Sequence, residues 1–227
     1  EEIGLRICSI DGGSMRNAIP RNATASLAVE QAAIPALQEL VLSETAVIRA
    51  EVACTDPDLS IFLEPISRPE RALSAGFQRR LLQAICSCPN GIYRMNPAIA
   101  HLVQTSNNLS RVLVEGGHFH ILCLTRSFAD SEKTELARLI ENSLVQADAT
   151  ITLSGNVPGW EPAPGAHIVK HVSEVYRRLY GVDPVLSAIH AVLECGIIGA
   201  KYPNLEMVSF GPNIRDAHSP DERVQVS

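Results

Sequence analysis

Between Ser154 and Gly165, six of twelve residues are glycine or proline: Gly155, Pro158, Gly159, Pro162, Pro164 and Gly165. Neither a helix interior nor a central strand tolerates that density, because proline removes a backbone donor and glycine raises the entropy cost of ordering. The stretch therefore divides the chain, and the two sides have different rhythms. Before it, short period-two runs are separated by Gly-rich turns, with three helical stripes among them. Leu5–Ile10 and Ala18–Val29 read as an antiparallel hairpin turning at Asp11-Gly12-Gly13. Leu102–Thr105, Ser110–Val114 and His118–Thr125 read as a meander turning at Glu115-Gly116-Gly117. Leu59–Pro65 and Ala149–Leu153 read as further strands. Helices are predicted over Gln31 to Glu51, Arg68 to Cys86 and Ser131 to Leu144, the last with Ser131 as its cap. After the divide, helices over Ala166–Tyr180 and Leu193–Ala200 alternate with strands over Pro184–His190 and Met207–Phe210. That alternation implies a mixed or parallel sheet.

The expected fold class is thus an α+β domain, an antiparallel sheet with helices on one face, followed by part of a three-layer α/β domain with a mixed sheet. The boundary is set at residues 1–157 and 158–227. With 227 residues, the chain has length for one large domain or two small ones. Hydrophobic residues at 46% predict a folded core, and ten aromatic residues make that core aliphatic. The net charge of −6 argues against a dedicated nucleic-acid partner or an anionic membrane surface. No apolar run approaches the roughly 18 residues of a membrane span, and no basic segment followed by an apolar run opens the chain, so no secretory leader is expected. The six cysteines show no framework, and reduced thiols in a cytosolic protein are the expectation.

The chain has no phosphate-binding glycine loop and no Gly-x-Ser-x-Gly elbow. His118 and His120 share a strand face with no acidic partner nearby in sequence, and His167 and His171 share an amphipathic helix face beside Lys170, where a solvated surface is expected. His218 follows the apolar strand Met207–Phe210 in a loop with Asp216, Asp221 and Glu222. Imidazole beside carboxylates beyond a strand's carboxyl end suits a metal or substrate site, and suits equally a helix start capped by Ser219. His190 and Glu194 present the same pair of readings at the end of the Pro184–His190 strand. Arg126, on the rigid support of an apolar strand, and Asn17, in a turn beside Arg16, have the chemistry to hold a carboxylate.

Four segments occur in order: Gly12-Gly13-Ser14-Met15-Arg16-Asn17-Ala18-Ile19-Pro20-Arg21, Ser154-Gly155-Asn156-Val157-Pro158-Gly159-Trp160, His190-Ala191-Val192-Leu193-Glu194-Cys195-Gly196, and Phe210-Gly211-Pro212 through His218-Ser219-Pro220-Asp221-Glu222. On these the chain resembles the bacterial Xaa-His dipeptidases, carnosine-cleaving members of the co-catalytic zinc exopeptidases. The resemblance implies a cytoplasmic, homodimeric hydrolase with a two-zinc catalytic domain interrupted by a lid, which also forms the dimer. It implies that this chain is most of the lid plus the return into the catalytic domain. The catalytic glutamate, the bridging aspartate and most zinc ligands would lie elsewhere, so no catalytic residue is expected in this chain. The chain by itself is then expected to be inactive.

The resemblance further implies that His218 is the last zinc ligand, and that Asn17 and Arg126 bind the dipeptide's C-terminal end or the tetrahedral intermediate. Val192 stands beside the substrate where the family carries glycine. Asn22 stands where an acidic residue is expected.

Overall fold

The computed structural model describes residues 3–190, 193–217 and 221–226. Its centre is one long strand. Strand β1 (Arg6–Gly13) pairs antiparallel with β2 (Ala23–Ala28), and β3 (Gly91–Met95) precedes β4 (Val103–Glu115) and β5 (His118–Ser127). β4 carries β1 and β3 end to end along one edge, at residues 111–114 and 103–107, and β5 along the other. All these pairings are antiparallel.

The hairpin predicted at the start of the chain is present, but Asp11, Gly12 and Gly13 belong to β1 and not to its turn. Gly12 pairs with Ala23, and residues 14–22 make the connection. The reason lies across the sheet. Gly13 has φ +74°, and a Cβ there would overlap the backbone oxygen of Ser110, so the absence of a side chain lets β1 reach β4 to its end. Arg111 then donates to the Gly13 oxygen and pairs with Asp11 at 3.0 Å.

The two strands expected over 102–114 are one. Their polar middle stays in the ladder because the asparagines find partners. Asn107 Nδ2 donates to Pro89 O at 2.7 Å, and Asn107 Oδ1 accepts from Thr125 Oγ1 at 3.2 Å. A bulge at Ser110 interrupts the register between Leu109 and Arg111, and the buried Ser110 hydroxyl donates to Leu122 O at 3.0 Å.

Helix α1 (Ile34–Val52) has Pro35 in its first turn. Helices α2 (Ala75–Ser87) and α3 (Asp130–Leu144) cover one sheet face. They place Leu81, Ala84, Leu136, Ile140 and Leu144 against Ile7 and Val114, an aliphatic core as the composition requires. Each such buried leucine contributes about 1.5–3 kcal/mol. α2 begins later than its periodicity suggests, because Leu73 N donates to Ile7 O at 2.8 Å and Ser74 takes the cap from Phe77 N. α3 begins at Asp130, so Ser131 lies inside it and not at the cap.

After the Gly/Pro segment come α4 (His167–Tyr180) and α5 (Glu194–Lys201). The Glu206 carboxylate closes the start of α4 from a distance, accepting from His167 N at 3.0 Å and Ile168 N at 2.9 Å. Here the expected mixed sheet does not form among the described residues. Residues 184–190 and 207–210 are without ladder partners, as are 59–65 and 149–153. Val185 and Phe210, expected in buried strands, are 93% and 85% exposed. An apolar run becomes a strand only where a neighbour accepts its backbone bonds, and these runs meet none among the described residues. The pairing seen is a two-residue antiparallel ladder between β6 (Ile214–Arg215) and β7 (Arg223–Val224).

Candidate active site

Side chains alternate between faces along a strand, and directly opposed residues share one. In the β4–β5 ladder Ser106 stands opposite Arg126, and Asn108 opposite Leu124. Ser106, Asn108 and Arg126 therefore share the face turned away from α2 and α3. Thr105 occupies the helix side, fully buried. Its hydroxyl lies 2.7 Å from Ser127 Oγ and 2.5 Å from Glu132 Oε2 on α3. Burial alone would push the Glu132 carboxyl up. Bonds from Gln104 and Thr105 and the charge of Arg94 outweigh it and hold the group below the usual range. This polar anchor fixes the end of β5 where Arg126 sits.

Arg126 Nη1 donates to the backbone oxygen of His190 at 3.3 Å. Its Nε is buried and has no hydrogen-bond partner among the described residues. The His190 ring lies on the same sheet face, with Nε2 2.7 Å from Ser106 Oγ and its plane at 84° to the Phe128 ring, centroids 5.6 Å apart. Burial, and then the positive charge of Arg126, lower the His190 pKa below its ordinary value.

Arg126, Phe128 and His190 line a cavity with Lys133, Gly155, Val157, Pro158, Gly159, Trp160 and Leu193. The Gly/Pro segment that divides the sequence is thus one wall. It can lie so close because it lacks side chains there: a Cβ at Gly159 would overlap Phe128 O, and one at Gly196 would overlap Pro158 O. Lys133 Nζ ties the wall down, donating to Val157 O and Asp130 Oδ1, both at 2.6 Å. Asp130 Oδ1 also accepts from Gly159 N at 3.2 Å. The bond from Lys133, helped by Gly159, holds the Asp130 carboxyl below its usual range against the opposing effect of burial.

A cavity with a buried, unpaired guanidinium N–H beside a neutral imidazole is suited to a carboxylate or a developing oxyanion. Of the residues singled out in the sequence, Arg126 and His190 line it. Asn17 does not. It lies in an exposed turn, and that turn is held over the same sheet face by Asn108, whose Nδ2 donates to Arg16 O at 3.3 Å and Ala18 O at 2.8 Å. Val192 and His218 lie outside the described residues. Asn108, Ser106 and Lys133 gave no distinct signal in the sequence, although a strand carrying Ser106, Asn107 and Asn108 in succession marked a place where polar groups must find partners. Among the described residues no group of three or more His, Cys, Asp or Glu side chains gathers as a metal site. His167 and His171 stack on α4 with ring centroids 6.4 Å apart, away from the cavity lining.

No protein-family model matches the chain. It is 34% identical over 226 residues to the cytosol non-specific dipeptidase of Escherichia coli (strain K12), covering 100% of this chain and 47% of that protein. The solved aminoacylhistidine dipeptidase of Vibrio alginolyticus superposes with a TM-score of 0.87 at 36% identity, covering 98% of this chain and 45% of that one. The chain thus spans about half the length of each of these relatives. Both relatives are dipeptidases, hence hydrolases, and the similarity in sequence and fold to them runs along the whole of this chain.

Proposed function

We propose that the protein to which this chain belongs hydrolyses dipeptides, Xaa-His dipeptides such as carnosine among them, and that this chain supplies the grip on the substrate's C-terminal carboxylate. The observation that carries the reading is the Arg126 Nε, buried at the cavity and without a hydrogen-bond partner among the described residues. A buried donor left unpaired costs about 1–3 kcal/mol, a cost that a bound carboxylate removes with a charge-assisted bond. Asn17, in the turn clasped by Asn108, would close on the same substrate from the same face. Residues 1–157 would form the lid, which also makes a homodimer, and residues 158–227 the final part of the catalytic domain. The name of the cytosolic relative supports a cytoplasmic location.

The family resemblance implies two zinc ions, with His218 as a ligand. The described residues of this chain gather no ligand set, so the steps assigned to it are binding and orientation. The metal would supply polarisation of the scissile carbonyl and of the attacking water. Glycine replaced by Val192 beside the substrate would narrow the range of accepted dipeptides. The chain alone is expected to cleave no dipeptide and to retain no stoichiometric zinc.

The test is Arg126→Ala in the intact protein. A fall in kcat/KM of roughly 100-fold or more is expected, with the melting temperature little changed. An unaltered rate would remove the carboxylate grip from the proposal.

A further inference from the structure

A guanidinium can fix a carboxylate only if it is itself fixed. Arg126 rests through Nη1 on the backbone oxygen of His190. That oxygen ends residues 183–190, which lie in neither a helix nor a ladder, so no regular structure of that segment sets its position. The His190 ring does. It is pinned by the Ser106 hydroxyl at 2.7 Å and by the ring of Phe128 standing nearly perpendicular to it. Ser106 and Arg126 are direct partners across the β4–β5 ladder. One cross-strand pair therefore grips one residue at both ends, Ser106 at the ring and Arg126 at the carbonyl.

From this geometry we infer that His190 is the positioning residue for Arg126, with Ser106 the anchor of its ring. The inference rests on the reading of Arg126 as the carboxylate contact. The surroundings agree with a neutral ring. Arg126 is the charged group beside it, and Lys133, the other cation on the cavity, is already engaged by Asp130. A neutral imidazole bonded to a hydroxyl adds no charge to repel the guanidinium. The arrangement leaves Arg126 Nε, and not Nη1, free to meet a ligand.

The experiment uses four variants of the intact protein: His190→Ala, His190→Gln, Ser106→Ala and the double variant His190→Ala with Ser106→Ala. The first readout is the Arg126 Nε–H proton resonance, whose exchange with water reports whether the guanidinium is held. It is expected to be slow in the parent and in His190→Gln, whose amide can reach Ser106, and fast in His190→Ala and Ser106→Ala. The second readout is kinetic. KM for a dipeptide with a free C-terminal carboxylate should rise roughly tenfold in His190→Ala and Ser106→Ala, the scale of one lost hydrogen bond. The double variant should be no worse than His190→Ala, because both act on the same ring.

Unchanged Nε–H exchange and unchanged KM in His190→Ala would overturn the inference, as would an additive double variant. An intact protein that cleaves no dipeptide would sink the functional reading, while the exchange measurement would still decide the positioning role.

Discussion

Gly159 lies against the backbone of Phe128 so closely that a methyl group on its α-carbon would overlap the Phe128 carbonyl oxygen. The wall of the cavity and the end of β5 are thus in direct main-chain contact, and the obstacle is backbone, which cannot swing aside as a flexible side chain can. Gly159→Ala should lower stability by about 1–3 kcal/mol, the usual cost of overpacking. The single tryptophan, Trp160, is the next residue and lines the cavity. Its emission should shift to the red in the variant. Unchanged melting and unchanged emission would mean that the wall does not sit where described.

Thr105 offers a test of the polar anchor under β5. Thr105→Val keeps the shape and removes the hydroxyl that meets Ser127 and Glu132. Two half-buried groups then lose a partner, and a destabilisation of about 1 kcal/mol is expected in denaturant unfolding. Thr105→Ser, which keeps the hydroxyl, should recover most of it.

The His190 ring makes folding stability depend on pH. Its pKa is lowered in the folded chain from the ordinary 6.5, by burial first and by Arg126 second. The unfolded chain therefore takes up the proton at higher pH than the folded one. The contribution of the neutral ring is fully present above pH 6.5 and is lost as pH falls through the folded value. Melting temperature should drop on going from neutral to mildly acidic buffer, and His190→Gln should flatten that drop. Glu132 and Asp130, also held below their ordinary values, give a second loss in the same direction, in the carboxylate range at lower pH.

Glu206 closes the first turn of α4 by accepting from the backbone N–H groups of His167 and Ile168. Glu206→Ala should leave those donors to water. Faster amide exchange in the first turn of α4 and a small loss of helical circular dichroism are expected. Exchange in α3 should stay as it was.

What was legible in the sequence follows the reach of the forces involved. α1, α3 and α4 were read correctly because helical periodicity is local, and the turn at Gly116-Gly117 because its glycines are. The place of Gly13 inside β1 was not, since its cause is the Ser110 oxygen on another strand. The start of α4 depends on Glu206, and the Ser106–His190 bond spans 84 positions. No window of sequence contains both ends of such contacts. Arg126 was singled out as a fixed guanidinium on a rigid strand, and its role came from family resemblance. Its unpaired Nε could come only from three dimensions. β4 was read as two strands for a physical reason: its alternation changes phase at Ser110. Before the bulge Thr105 and Leu109 turn to the helices, and after it Val112 and Val114 do.

That change of phase makes Ser110 act as a frameshift written into the protein rather than into its gene. The extra residue lets β4 keep one continuous greasy underside although its two halves count odd and even differently. Excising Ser110 would leave Thr105, Leu109, Val112 and Val114 at an unbroken period of two, so the same face could be kept without the bulge. Keeping Ser110 but drawing it into a regular ladder would be the damaging change: with the apolar half held by its core, the other half would turn over, sending Ser106 and Asn108 towards the helices and Thr105 and Asn107 away from them. The irregularity is what keeps greasy and polar sides consistent along thirteen residues of a single strand.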